Sequence, residues 1–187
     1  FYPVPYVIAI YEGLGNITPY LASGADPLMI KLEAKIFGLQ PTLWLQRLIH
    51  PVLTDILSLA YAAYYFIPSF LILILYLQGK EQAFREALFI LLLGYCLSFI
   101  GYIFVPTLGP RFALAHLFEK PLGGSSITSF VIDTLNLLEH NQRDCFPSGH
   151  TQMALISLIL ARRYIRPLFW IYLPVVSLLI SVSYTHL

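Results

Sequence analysis

"ALFILLLGYCLSFIGYIFVP", residues 87–106, runs for twenty positions without a charged side chain. A helix rises about 1.5 Å per residue, so twenty residues cover about 30 Å, the hydrocarbon thickness of a bilayer. This stretch therefore predicts a transmembrane helix, and its neighbours predict more of them. Residues 52–77, "VLTDILSLAYAAYYFIPSFLILILYL", form a second apolar run, with Pro68 expected to kink it. Residues 148–164 open in "SGH" and close in "ARRY", and residues 167–183 form a last span. "FYPVPYVIAIY" (1–11) is too short to cross alone and reads as the tail of a cut helix. Composition agrees: 58% of the 187 residues are hydrophobic and 11% are charged, where soluble domains carry about 25% charged residues. The fold class read from the chain is all-α, a polytopic membrane helical bundle. Without an internal repeat or low-complexity tract, it is one domain.

Basic residues set the orientation. The short loop "QGKEQAFRE" holds Lys80 and Arg85, and the short loop "ARRYIR" holds Arg162, Arg163 and Arg166. Both loops are placed in the cytoplasm, so the long segments 12–51 and 107–147 face outside. "ITSFVIDTLNLLEH" (127–140) is amphipathic and suited to lie along the membrane surface. A net charge of +1 without a basic, aromatic-laced patch gives no sign of nucleic acid as a partner. Cys96 and Cys145 should differ in depth by about 15 Å, too far for a disulfide. His50, His116 and His140 lack metal-like spacing, so neither a metal nor a cofactor is expected. Tyr61, Tyr64 and Tyr65 read as helix-packing or interface-belt residues.

The chemistry gathers at the outer ends of two spans. "VPTLGPRFAL" (105–114) puts Arg111 directly after a Gly-Pro turn, and "DCFPSGHTQMAL" (144–155) opens the next span. Arginine offers a planar fork of donors matched to phosphate oxygens. Ser148 supplies a hydroxyl, and Gly149 permits close backbone approach. Both lie at a helix N-terminus, which favours an anion. His150 gives or takes a proton near neutral pH. Taken one at a time, Ser148 is an ordinary N-cap, and Arg111 is a side chain that snorkels to lipid phosphate. Taken together, the four make a phosphate cradle with a proton donor at headgroup level.

These strings, "PTLGPRF" and "CFPSGHTQMAL", resemble the type-2 phosphatidic acid phosphatase superfamily of membrane lipid phosphatases. With "IFGLQPTLWLQ" (36–46) they are most similar to the branch that includes inositol phosphorylceramide synthases. The resemblance implies a six-helix fold, of which about five spans are present here, the first cut and the sixth missing. It also implies phosphoryl transfer through a phosphohistidine. By the same resemblance Arg111, Ser148 and Gly149 bind the substrate phosphate, and His150 protonates the leaving oxygen. The family's lysine, seven positions before that arginine, falls on Phe104, a departure that fits the synthase-like branch. The third element, with the nucleophilic histidine and its aspartate, is due where the chain ends at "LISVSYTHL". The closing Val-Ser-Tyr-Thr-His-Leu (182–187) is also what a transposon-end sequencing adapter encodes. Residues 182–187 are accordingly read as a non-native tail on a domain spanning 1–181. His186 is left out of the catalytic set, and the fragment is expected to be inactive.

The function expected is an integral membrane phospholipid phosphatase acting at the outer face of the cell membrane. Its partners are a phospholipid or sphingolipid substrate and the bilayer. The alternative is a phospholipid headgroup transferase, in which an alcohol replaces water as the acceptor. A non-catalytic transport or assembly protein is the weaker reading, because the spans hold few ionisable residues beyond Asp55.

Overall fold

A computed structural model describes residues 3–21, 25–38, 40–45, 50–108, 114–117, 125–138 and 145–185, and every regular element among them is helical. Proline and glycine mark most of the boundaries. Helix α1 runs Pro3–Leu21, α2 Asp26–Phe37 and α3 Pro41–Leu45. Pro27 and Asp26 open α2, and Gly38 closes it in the left-handed conformation at φ 71°. Helix α4 (Pro51–Ala62) passes through a 3₁₀ turn (Ala63–Tyr65) into α5 (Ile67–Leu77). Gly79, at φ 65°, turns the chain into α6 (Glu81–Phe104). A further 3₁₀ turn covers Ala115–Leu117. Then come α7 (Ser126–Leu138), α8 (Gly149–Tyr164) and α9 (Arg166–Thr185).

The run expected as one span over 52–77 is two helices bent by 47°. Pro68 has no N–H to offer the carbonyl of Tyr64, and its ring crowds that carbonyl, so the α-helix yields to a 3₁₀ turn. The Tyr172 hydroxyl of α9 donates to the Ile67 carbonyl at 2.8 Å and pins the start of α5. Helix α1 continues ten residues past the apolar run that ends at Tyr11. Its second half is polar enough to end a hydropathy window, yet Leu14 is buried there against Phe99 and Tyr102.

Helix α6 is long and apolar enough to cross a membrane, and α4–α5 meets the same standard as a bent pair. The stretch Arg166–Ser181 of α9 is apolar but shorter, and α8 has 16 residues. In α6 both faces are largely apolar. Its buried face carries Ala87, Leu91, Gly94, Ser98 and Tyr102, and its exposed face carries Phe89, Leu93, Leu97, Ile100 and Phe104. Both sets recur every three or four residues, the period of a helix face.

Helix α8 packs against α6, α5 and α9; α9 also packs on α4, and α7 rests on α4. Leu71, Leu75, Met153, Val176 and Leu179 fill the centre. The Lys80 ammonium donates to the Tyr164 carbonyl at 3.2 Å. That bond sets the two short basic connections at one end of the bundle. At the same end Glu86 accepts the Tyr164 hydroxyl and lies 3.4 Å from Arg163.

Candidate active site at the start of α8

At the opposite end of α8, Ser148 takes the N-cap position with extended backbone. Its oxygen accepts the Thr151 N–H at 3.3 Å, and its hydroxyl lies 3.1 Å from the Thr151 hydroxyl. The cap starts the helix at Gly149, so the positive end of the α8 dipole gathers around residues 149–151. This is the general chemistry of an anion seat. Gly149 is buried, and a Cβ built on it would lie 2.2 Å from the Tyr102 hydroxyl of α6. One turn earlier on α6, a Cβ on Gly101 would lie 2.4 Å from the ring of Pro147. Two glycines thus let the entry to α8 settle onto the end of α6.

A second contact binds these segments. The Cys145 N–H donates to the Thr107 carbonyl at 3.3 Å. Residues 106–108 are held from the other side by α2, where the Ala25 N–H donates to the Pro106 carbonyl at 2.9 Å. The Asp26 carboxylate accepts the Leu108 N–H, also at 2.9 Å. The chain leading to Arg111 and the chain leading to His150 therefore share one level. Arg111 itself lies outside the described residues, as do His140 and His186. Ser148, Gly149 and His150 stand at the start of α8, with Ser148 as its cap. Phe104, at the family's lysine position, is exposed.

His150 is half-buried among three tyrosines of the α4–α5 elbow. The Tyr61 hydroxyl lies 3.0 Å from Nε2, and the two rings stack at 4.6 Å with 25° between planes. Tyr64 stands 4.2 Å away, tilted by 51°, and Tyr65 presents its edge at 6.3 Å. The tyrosines do pack helices, as expected, but what they pack against is the imidazole. Their recurrence at i, i+3 and i+4 marks a single helical face, a legible signal; nothing in the sequence aims that face at a residue 89 positions on. Gln152 was missed as well. It accepts the Ser98 hydroxyl at 2.9 Å and donates to the Gly94 carbonyl at 3.0 Å, tying α8 to α6 just below the site.

The arrangement offers an imidazole with a fixed partner, a capped helix N-terminus and close backbone approach. That is equipment for holding an oxyanion and moving a proton beside it. No curated protein and no solved structure matches the chain. Residues 28–186 match the sequence model of the PAP2 superfamily. The match spans the elbow, the capped turn and most of the bundle, and the chain belongs to the PAP2 superfamily, whose members are phosphatase-type enzymes typically associated with membranes.

Proposed function

We propose that the protein is an integral membrane phospholipid phosphatase working at the extracytoplasmic face through a phosphohistidine intermediate. The observation that carries this reading is His150 on the first turn of α8, ring held by Tyr61, beside the Ser148 cap and the buried Gly149. In it, the substrate phosphate sits at the positive end of the α8 dipole, beside the Ser148 hydroxyl and the buried Gly149. Arg111 follows Leu108 by three residues, at most about 10 Å of chain, and clamps the phosphate oxygens in a bidentate fork. A nucleophilic histidine from the family's third element attacks phosphorus, and the P–O bond to the lipid breaks. Protonated His150 gives its proton to the leaving oxygen. Water then attacks the phosphohistidine, His150 takes back a proton, and phosphate leaves.

Two features support the membrane setting. The exposed face of α6 is formed by large apolar side chains while its buried face holds Gly94 and Ser98, a pattern suited to lipid. The basic loops lie at the end away from His150, which supports an outward site. A headgroup transferase of the inositol phosphorylceramide synthase type would use the same cradle with an alcohol in place of water. The test is release of phosphate and diacylglycerol from labelled phospholipid by the natural gene product in detergent. His150→Ala should lower turnover by about 10²–10⁴-fold, and Arg111→Lys should also be costly, since a point charge does not replace the fork. Near-wild-type turnover in His150→Ala overturns the assignment. Label appearing on an added lipid alcohol instead of in water identifies the transferase.

A further inference from the structure

The Tyr61 contact is not required by the phosphate cradle, yet it holds Nε2 of His150 at 3.0 Å. Tyr61 is 6% exposed. Leu57 of its own helix, Val131 of α7 and Leu178 of α9 pack in its cluster. Its ring is thus fixed by three helices, and its hydroxyl has little freedom to turn away from Nε2 at 3.0 Å. A histidine's two nitrogens are distinct, and the partner of one settles the role of the other. Stacking at 4.6 Å adds a second restraint, because it holds the imidazole plane as well as its nitrogen.

We infer that Tyr61 is a positioning residue for His150, fixing the plane and orientation of the imidazole while it exchanges a proton with the substrate. The inference rests on the reading of His150 as proton donor. In the protonated ring both nitrogens carry hydrogen, and Nε2–H donates to the Tyr61 oxygen. As the P–O bond breaks, the imidazolium gives one proton to the leaving oxygen, and the neutral ring keeps the other. In the second half-reaction the neutral ring accepts a proton from the attacking water. Tyr61 gains and loses nothing over the cycle. Tyr64, tilted over the ring at 4.2 Å, limits the ring's swing without addressing either nitrogen.

The experiment uses the natural gene product in lipid nanodiscs, with labelled phosphatidic acid as substrate. Tyr61→Phe keeps the stacked ring and the packing with Leu57 and Val131 and removes only the hydroxyl. Its kcat should fall about tenfold with KM unchanged, the scale of one lost hydrogen bond. In a His150→Ala background the same change should have no further effect, because Tyr61 acts through that ring. ¹⁵N-histidine spectra give a readout that needs no variant. The neutral His150 ring of the wild type should hold a single tautomer, and Tyr61→Phe should mix the two. Three results overturn the inference: wild-type kcat in Tyr61→Phe, an undiminished effect in the His150→Ala background, or mixed tautomers in the wild type. Failure of the proton-donor reading itself shows separately, as full turnover in His150→Ala whatever the nitrogen shifts report.

Discussion

Three glycines on this chain look alike in sequence and differ sharply in what surrounds them. At Gly13 a Cβ meets nothing within 4 Å, at Gly101 it meets Pro147 at 2.4 Å, and at Gly149 it meets the Tyr102 hydroxyl at 2.2 Å. Alanine at position 13 should therefore stabilise α1 by up to about 1 kcal/mol through helix propensity alone. Alanine at 101 should cost about 1–3 kcal/mol, since a proline ring has no rotamer with which to retreat. Alanine at 149 should cost a similar amount and abolish turnover by displacing the first turn of α8. Its clash is with one oxygen, and the next Tyr102 atom, Cζ, stands at 3.5 Å. Gly149→Ala combined with Tyr102→Phe should then recover most of the lost stability. Thermal midpoints of the four variants in one detergent check the series, and a double variant no better than Gly149→Ala alone would falsify the steric account. Ser148, Gly149 and His150 were legible because one helix turn needs only local sequence to assemble it. Tyr61 and Tyr102 were not, because the packing of helices far apart in sequence brings them to the turn.

Among the elements, α7 shows how an amphipathic segment is docked. Its N-terminus is capped from another helix. The Asp55 carboxylate of α4 accepts the Ser125 N–H at 3.0 Å and the Thr128 hydroxyl at 2.6 Å. Asp55, the ionisable residue noted within a span, thus meets the donors that a helix start leaves unpaired. Asp55→Ala should release α7: amide exchange over residues 126–138 should rise while exchange in α8 stays as it was. Equal exchange in both helices, or none in either, would contradict this docking role. Gln152→Leu should act differently. It removes both bonds to α6 and should cost about 1 kcal/mol, as polar contacts between membrane helices generally do. A midpoint unchanged by the substitution would show that Ser98 and Gly94 find other partners. Hydropathy made the body of α6 readable, since nothing interrupts its run, but missed its charged first turns at Glu81–Glu86. It merged α4 with α5, because composition does not register a missing N–H.

Across the whole molecule, the exposed apolar face of α6 is the surface that the proposed membrane reading turns toward lipid. Cys96 is exposed on that helix between Leu93 and Leu97, and Cys145 is partly covered at the entry to α8. In sealed vesicles a membrane-impermeant maleimide should leave Cys96 unmodified, and an apolar maleimide or denaturation should expose it. Ready labelling of Cys96 by the impermeant reagent would place α6 against water. The elbow between α4 and α5 has one more consequence. Tyr61 belongs to the arm above the bend and Tyr64 to the bend itself, and both face the imidazole. Any force that tilts the upper arm turns the hydroxyl bound to Nε2. Bilayer thickness exerts such a force on a span that must match it. On the membrane reading proposed above, the joint would make the protein a transducer, in which acyl-chain length is an input and proton transfer the output. Turnover should vary with the chain length of the host lipid, and Pro68→Ala, by stiffening the joint, should flatten that dependence.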